Sequence, residues 1–63
     1  MIVNFYKLVK RDDFRTASYL TTKNIEYMPR PKDHVVYQGQ LFFVVYVELD
    51  LDTCNYNIFV ARL

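Results

Sequence analysis

The chain has no tryptophan, one glycine, one cysteine, one histidine and two prolines in 63 residues, and each scarcity excludes something. A single cysteine, Cys54, rules out an internal disulfide. One Cys and one His fall short of the four ligands a structural zinc normally takes. A lone thiol suits the reducing cytoplasm. Alanine is nearly absent, which removes the commonest helix former. No apolar run approaches the roughly 18 residues of a membrane-spanning helix, and no signal peptide is recognisable at Met1. The expectation is a cytoplasmic protein without a membrane segment and without a cofactor. Catalytic signatures are missing too: no nucleophile motif, no paired acid and base, no metal cluster. A non-enzymatic role follows as the expectation.

What is present is β-forming. Just over half the residues are hydrophobic, and eleven are Phe or Tyr. With abundant Val, Ile and Thr, this favours strands and a folded core over disorder. The length sets one domain, residues 1–63. A chain this short buries only about 60% of its unfolded surface and is marginal alone. With disulfide and metal excluded, homo-oligomerisation is the expected supplement. Net charge is +1, unevenly placed. Residues 1–32 hold seven basic and three acidic side chains, net +4; residues 33–63 hold one basic and four acidic, net −3. If the fold keeps these halves apart, the dipole favours complementary self-association.

Gln40 to Asp52 is the strongest structural signal, apolar at first and then alternating, as a long strand requires. Regular alternation puts Leu41, Phe43, Val45, Val47, Leu49 and Leu51 on one face, expected to be core. The second face carries Phe42, Val44 and Tyr46, then Glu48, Asp50 and Asp52. Its apolar half needs a cover, either barrel closure or another subunit.

Strands are also expected at Ile2 to Val9, His34 to Tyr37 and Asn55 to Arg62. The Gly39 turn makes residues 34–52 a hairpin. Residues 14–22 read as a strand, which makes 2–22 a hairpin. The alternative is a short helix at about 12–22, with Asp12 or Asp13 as N-cap. Residues 23 to 33 are the link, and Pro29 and Pro31 make Met28 to Pro31 an extended, polyproline-like surface segment within it. Five short strands with tight turns predict an all-β fold: a small five-stranded antiparallel SH3-like barrel or curled sheet. With the helix, the fold would be α+β.

Residues 1–6 and 29–63 have a cadence of their own. It runs through Asn4-Phe5-Tyr6, Pro29-Arg30-Pro31, Asp33-His34-Val35, a turn at Gly39, and Phe42-x-Val44-x-x-Val47. This cadence resembles small uncharacterised barrel proteins of bacteriophages and prophages. Lys32 stands where those proteins often have glycine, and His34 where many have an aliphatic residue. The resemblance implies a phage or mobile-element origin, and its motifs are fold punctuation more than chemistry.

The residues that could act divide into three sets. A protein–protein interface would use Phe42, Val44 and Tyr46 with the basic link residues Arg30 and Lys32, since aromatic and Arg side chains dominate interface energetics. The partner would be a host or phage protein, with inhibition of a host or defence protein, or help in assembly, as the role. A nucleic-acid or nucleotide site is the alternative, built from Tyr6, Lys7, Arg15, Tyr19, Lys23 and Tyr27. The near-neutral charge speaks against it. Of the remainder, His34 reads as a surface histidine and Cys54 as an incidental thiol. Glu48, Asp50 and Asp52 read as a solvated strand face that blocks edge pairing.

Overall fold

The computed structural model describes all 63 residues as one curled, five-stranded sheet. The strands are β1 (Ile2–Leu8), β2 (Ala17–Asn24), β3 (His34–Tyr37), β4 (Gln40–Asp50) and β5 (Asn55–Arg62). Their order across the sheet is β2-β1-β5-β4-β3. The all-β reading holds, and so does the 2–22 hairpin: β1 pairs antiparallel with β2 from Ile2↔Asn24 to Leu8↔Ala17. The helical alternative reduces to one 3-10 turn at Phe14–Thr16, N-capped by Asp13. Thr21, Thr22 and Tyr19 decide the rest, because β-branched and aromatic side chains pack better on a pleat than on a helix.

One junction differs from the antiparallel expectation. β1 and β5 run parallel, from Val3↔Tyr56 to Lys7↔Val60, so the sheet is mixed. Two antiparallel units, β1–β2 and β3–β4–β5, are joined along that seam. Alternation within a strand reports which face is buried, and says nothing about the direction of the neighbour.

The link from Ile25 to Asp33 carries the chain from one edge strand, β2, to the other, β3. Ile25 and Met28 pack on the core as it crosses. At its end Arg30–Asp33 is closed by the Asp33 N–H donating to the Arg30 carbonyl at 3.0 Å. Pro31 and Lys32 are the central residues, and Lys32 has φ +78°. That is a type II turn with a lysine at the position that favours glycine. The Lys32 and Asp33 backbones then pair with Val44, each at 2.8 Å. At the next turn Gln38 and Gly39 have φ +50° and +76°, the two left-handed residues of a type I′ hairpin turn.

The core is Val3, Phe42, Val44, Ile58 and Val60, each at most 3% exposed. This corrects the expected faces of β4. Leu51, 77% exposed, lies past β4 in the turn; within the strand Phe42 and Val44 point inward and Leu41 is 45% exposed. The cause is a β-bulge: Val44 pairs with Val60 and Tyr46 with Phe59, leaving Val45 as the extra residue. Past the bulge Val47 faces the core. The inward set is therefore Phe42, Val44 and Val47, and Tyr46 and Glu48 turn outward.

Candidate functional site

The outer face of the sheet carries two rows of side chains that run across four strands. The first row is aromatic. Tyr19 on β2 pairs in register with Tyr6 on β1, Tyr6 with Phe59 on β5, and Phe59 with Tyr46 on β4. Ring centroids are 5.9 Å apart for Tyr6–Tyr19, 5.4 Å for Tyr6–Phe59 and 5.6 Å for Tyr46–Phe59. Tyr6 and Phe59 are stacked and the Tyr6–Tyr19 pair meets edge to face. Phe14, from the 3-10 turn, lies on the row 4.8 Å from Tyr46 and 5.4 Å from Phe59. These spacings lie within the 4.5–7 Å over which aromatic pairs attract, so each ring holds its neighbour in place. Tyr19, Phe14 and Tyr46 remain 60%, 44% and 42% exposed.

The second row is polar and lies one pair along. Thr22, Asn4, Asn57 and Glu48 are register partners in turn. The Tyr19 hydroxyl and the Thr22 hydroxyl share a 2.6 Å hydrogen bond, and Thr22 donates to Asn4 Oδ1 at 2.7 Å. Asn4 Nδ2 donates to Asn57 Oδ1 at 3.2 Å, and Asn57 Nδ2 to Glu48 Oε1 at 2.9 Å. The hydroxyls and amides thus relay donors to one terminal carboxylate and fix both rows relative to each other.

The loop between β1 and β2 bounds the face at its other end. Leu8 and Ala61 are each 3% exposed, and the Arg11 guanidinium lies 4.9 Å from the Phe43 ring centroid, within cation–π range. Arg15 pairs with Asp13 at 3.0 Å. Its side chain and its backbone N–H both donate to the Asp13 carboxylate and hold that carboxyl below its ordinary range.

The expected interface trio splits. Phe42 and Val44 are sealed inside the monomer at 3% and 1% exposure and cannot meet a partner; only Tyr46 reaches the surface. Arg30 and Lys32 are exposed on the turn before β3. The expected nucleic-acid set also splits. Tyr6 and Tyr19 belong to the aromatic row. Lys7 and Lys23 line a groove on the inner side, and Tyr27 is 67% exposed on the link. Arg15 is held by Asp13.

The other polar candidates have local roles. His34 is exposed at the first position of β3, and the neighbouring Asp33 carboxylate accepts instead from the Arg30 N–H at 2.9 Å. Asp50 Oδ1 accepts from the N–H groups of Asp52 and Thr53 and so shapes the β4–β5 turn. Because β3 pairs only with Gln40 to Phe43, the outer edge of β4 beyond the bulge is free, and Glu48 and Asp50 sit on it as edge-blocking charges. Cys54 is exposed in the turn with φ +59°.

Phe14, Phe59, Asn4, Asn57 and Thr22 were not singled out from the sequence. A signal for most of them exists. Asn4-x-Tyr6 and Asn57-x-Phe59 repeat the same spacing, and Tyr46-x-Glu48 is its reverse on an antiparallel neighbour. No family model, curated protein or solved structure matches the chain.

Proposed function

We propose that this protein is a small, non-enzymatic, phage-type binding module that docks its outer aromatic face on a partner protein in the host cytoplasm. The observation that carries this is the row Tyr19–Tyr6–Phe59–Tyr46 with Phe14 laid on it. Its rings are packed against one another while three stay more than 40% exposed. Preorganised tyrosines bury large area at little entropic cost, which makes them effective contact centres. The Thr22–Asn4–Asn57–Glu48 row supplies an ordered polar rim beside them. The phage origin and the role against a host protein rest on the sequence cadence alone. As for the compartment, no helix is long and apolar enough to cross a membrane.

Binding of single-stranded nucleic acid is the second reading. It is favoured by rings aligned across an exposed sheet face, on which bases can stack. Glu48 beside the rings and the placement of Lys7 and Lys23 on the inner side weigh against it.

The test is affinity capture from host-cell extract with mass spectrometry, using the wild type, Tyr19→Ala/Tyr46→Ala, and Val36→Ser as a surface control on β3. The reading requires a protein captured by wild type and Val36→Ser and lost from the tyrosine variant, with unchanged circular dichroism. Capture that survives the tyrosine substitutions refutes it. Capture of oligonucleotide that weakens steeply with salt and with the tyrosine substitutions would establish the second reading instead.

A further inference from the structure

Two cations from distant parts of the chain meet at one end of the sheet. Lys7 is next to last in β1 and Arg62 ends β5, and the pairs Lys7↔Val60, Phe42↔Arg62 and Tyr37↔Gln40 set them at one end of the sheet. There they line a shallow, open mouth with Leu20, Tyr37, Gln38 and Phe42 around it. The mouth opens into an apolar groove of about 130 Å³ between the edge strands β2 and β3, and Leu20, Tyr37 and Phe42 belong to both. No carboxylate lines either space. The chain's one ion pair is Arg15–Asp13, so Lys7 and Arg62 have no internal counter-charge.

The opposite end of the sheet carries the complement. The β4–β5 turn begins at Leu51, which is 77% exposed and flanked by Asp50 and Asp52. Asp50 uses one oxygen, Oδ1, to hold the turn, which leaves Oδ2 without an internal hydrogen bond. Asp52 is exposed. An apolar side chain between two carboxylates thus projects from one end, and two cations flank a shallow depression holding Leu20 and Tyr37 at the other.

We propose that copies of this chain associate head to tail, the Asp50-Leu51-Asp52 tip of one entering the Lys7/Arg62 mouth of the next. The carboxylates meet the two cations, and Leu51 covers Leu20 and Tyr37 between them. The contact joins two different surfaces, so it is heterologous and propagates into rings or open chains. It leaves the aromatic face free and stands independently of the function proposed above.

Sedimentation velocity over a concentration series tests this with two complementary variants. Asp50→Asn/Asp52→Lys disables the tip and keeps the Oδ1 acceptor of the turn. Lys7→Glu/Arg62→Glu disables the mouth. Each variant alone is expected to associate about tenfold more weakly than wild type, since attractions become repulsions. Mixed, each supplies the surface the other lacks, and the pair is expected to form a one-to-one dimer that stops there. Wild-type association is expected to weaken with added salt. A wild type that stays monomeric, variants that associate as wild type does, or a mixture that fails to pair overturns the proposal. Thermal unfolding of each variant confirms that it folds, and the tip variant alone suffices should the mouth variant not.

Discussion

Val44 and Val45 are adjacent and chemically identical, and the bulge gives them different fates. Val44 is 1% exposed in the core, and Val45 is the half-buried extra residue of the bulge. Val44→Ala removes two buried carbons, about 1.6 kcal/mol at about 0.8 per methylene. The cavity left in a close-packed interior raises this to about 2–3 kcal/mol. A 63-residue domain has about 3–9 kcal/mol in all, so this is a large fraction. At about 4–8 °C per kcal/mol the melting temperature should fall by about 10–20 °C. Val45→Ala loses a partly solvated side chain and should cost about 0.5–1 kcal/mol, with a shift below about 8 °C. Urea and thermal unfolding followed by circular dichroism read both, with the m-value unchanged if the two variants unfold from the same fold. Regular alternation along β4 would reverse the order of the two costs. A Val45→Ala loss equal to or greater than that of Val44→Ala refutes the inward phase of Phe42, Val44 and Val47.

Three other outcomes follow from the same geometry. Deleting Val45 brings Val44, Tyr46 and Val47 into unbroken register with Val60, Phe59 and Ile58, so a folded, antiparallel β4–β5 ladder is expected; cross-strand NOEs between residues 46 and 59 would show it, and an unfolded deletion variant would show that the bulge is indispensable. Left-handed turn positions should respond in opposite directions. Gly39→Ala, at φ +76° with nothing within 4 Å of the added carbon, should lose about 1 kcal/mol to backbone strain, and Lys32→Gly, at φ +78°, should gain about 0.5 kcal/mol in denaturant titrations. Finally, Asp13 is held below its ordinary value of 3.8 in the folded state, so its stabilising contribution is complete above that value and fades as pH falls through the lowered one. Asp13→Asn should remove this acid limb, seen as hydrogen-exchange protection factors in residues 9–16 that no longer fall on acidification.

The residues that were misplaced share one cause. Phe42 and Val44 were assigned to the second face of β4 because alternation was carried through residue 45 without a break. The spacing Phe42-x-Val44-x-x-Val47, noticed as a cadence, is the imprint of the bulge: a period of two that slips by one and resumes. The aromatic row was half legible. Tyr6, Tyr19 and Tyr46 were noted for different roles, and only register places them side by side with Phe59. Register depends on strand partners, and one partner of β1 is a strand more than fifty residues away that runs parallel to it.

By itself, the sequence determined the composition of the fold: five strands, their approximate limits, the turn at Gly39, and one small core too lean to spare a side chain. These follow from local preferences, which act within a few residues and leave a periodic trace. The parallel β1–β5 seam, the open groove between β2 and β3, and the pairing of aromatic and polar rows were decided by tertiary structure. So was the placement of an acidic tip and the Lys7/Arg62 pair at opposite ends of the sheet. Each depends on which distant segments share a ladder, and that choice is made by the summed burial of the inner face, which no single stretch of sequence contains.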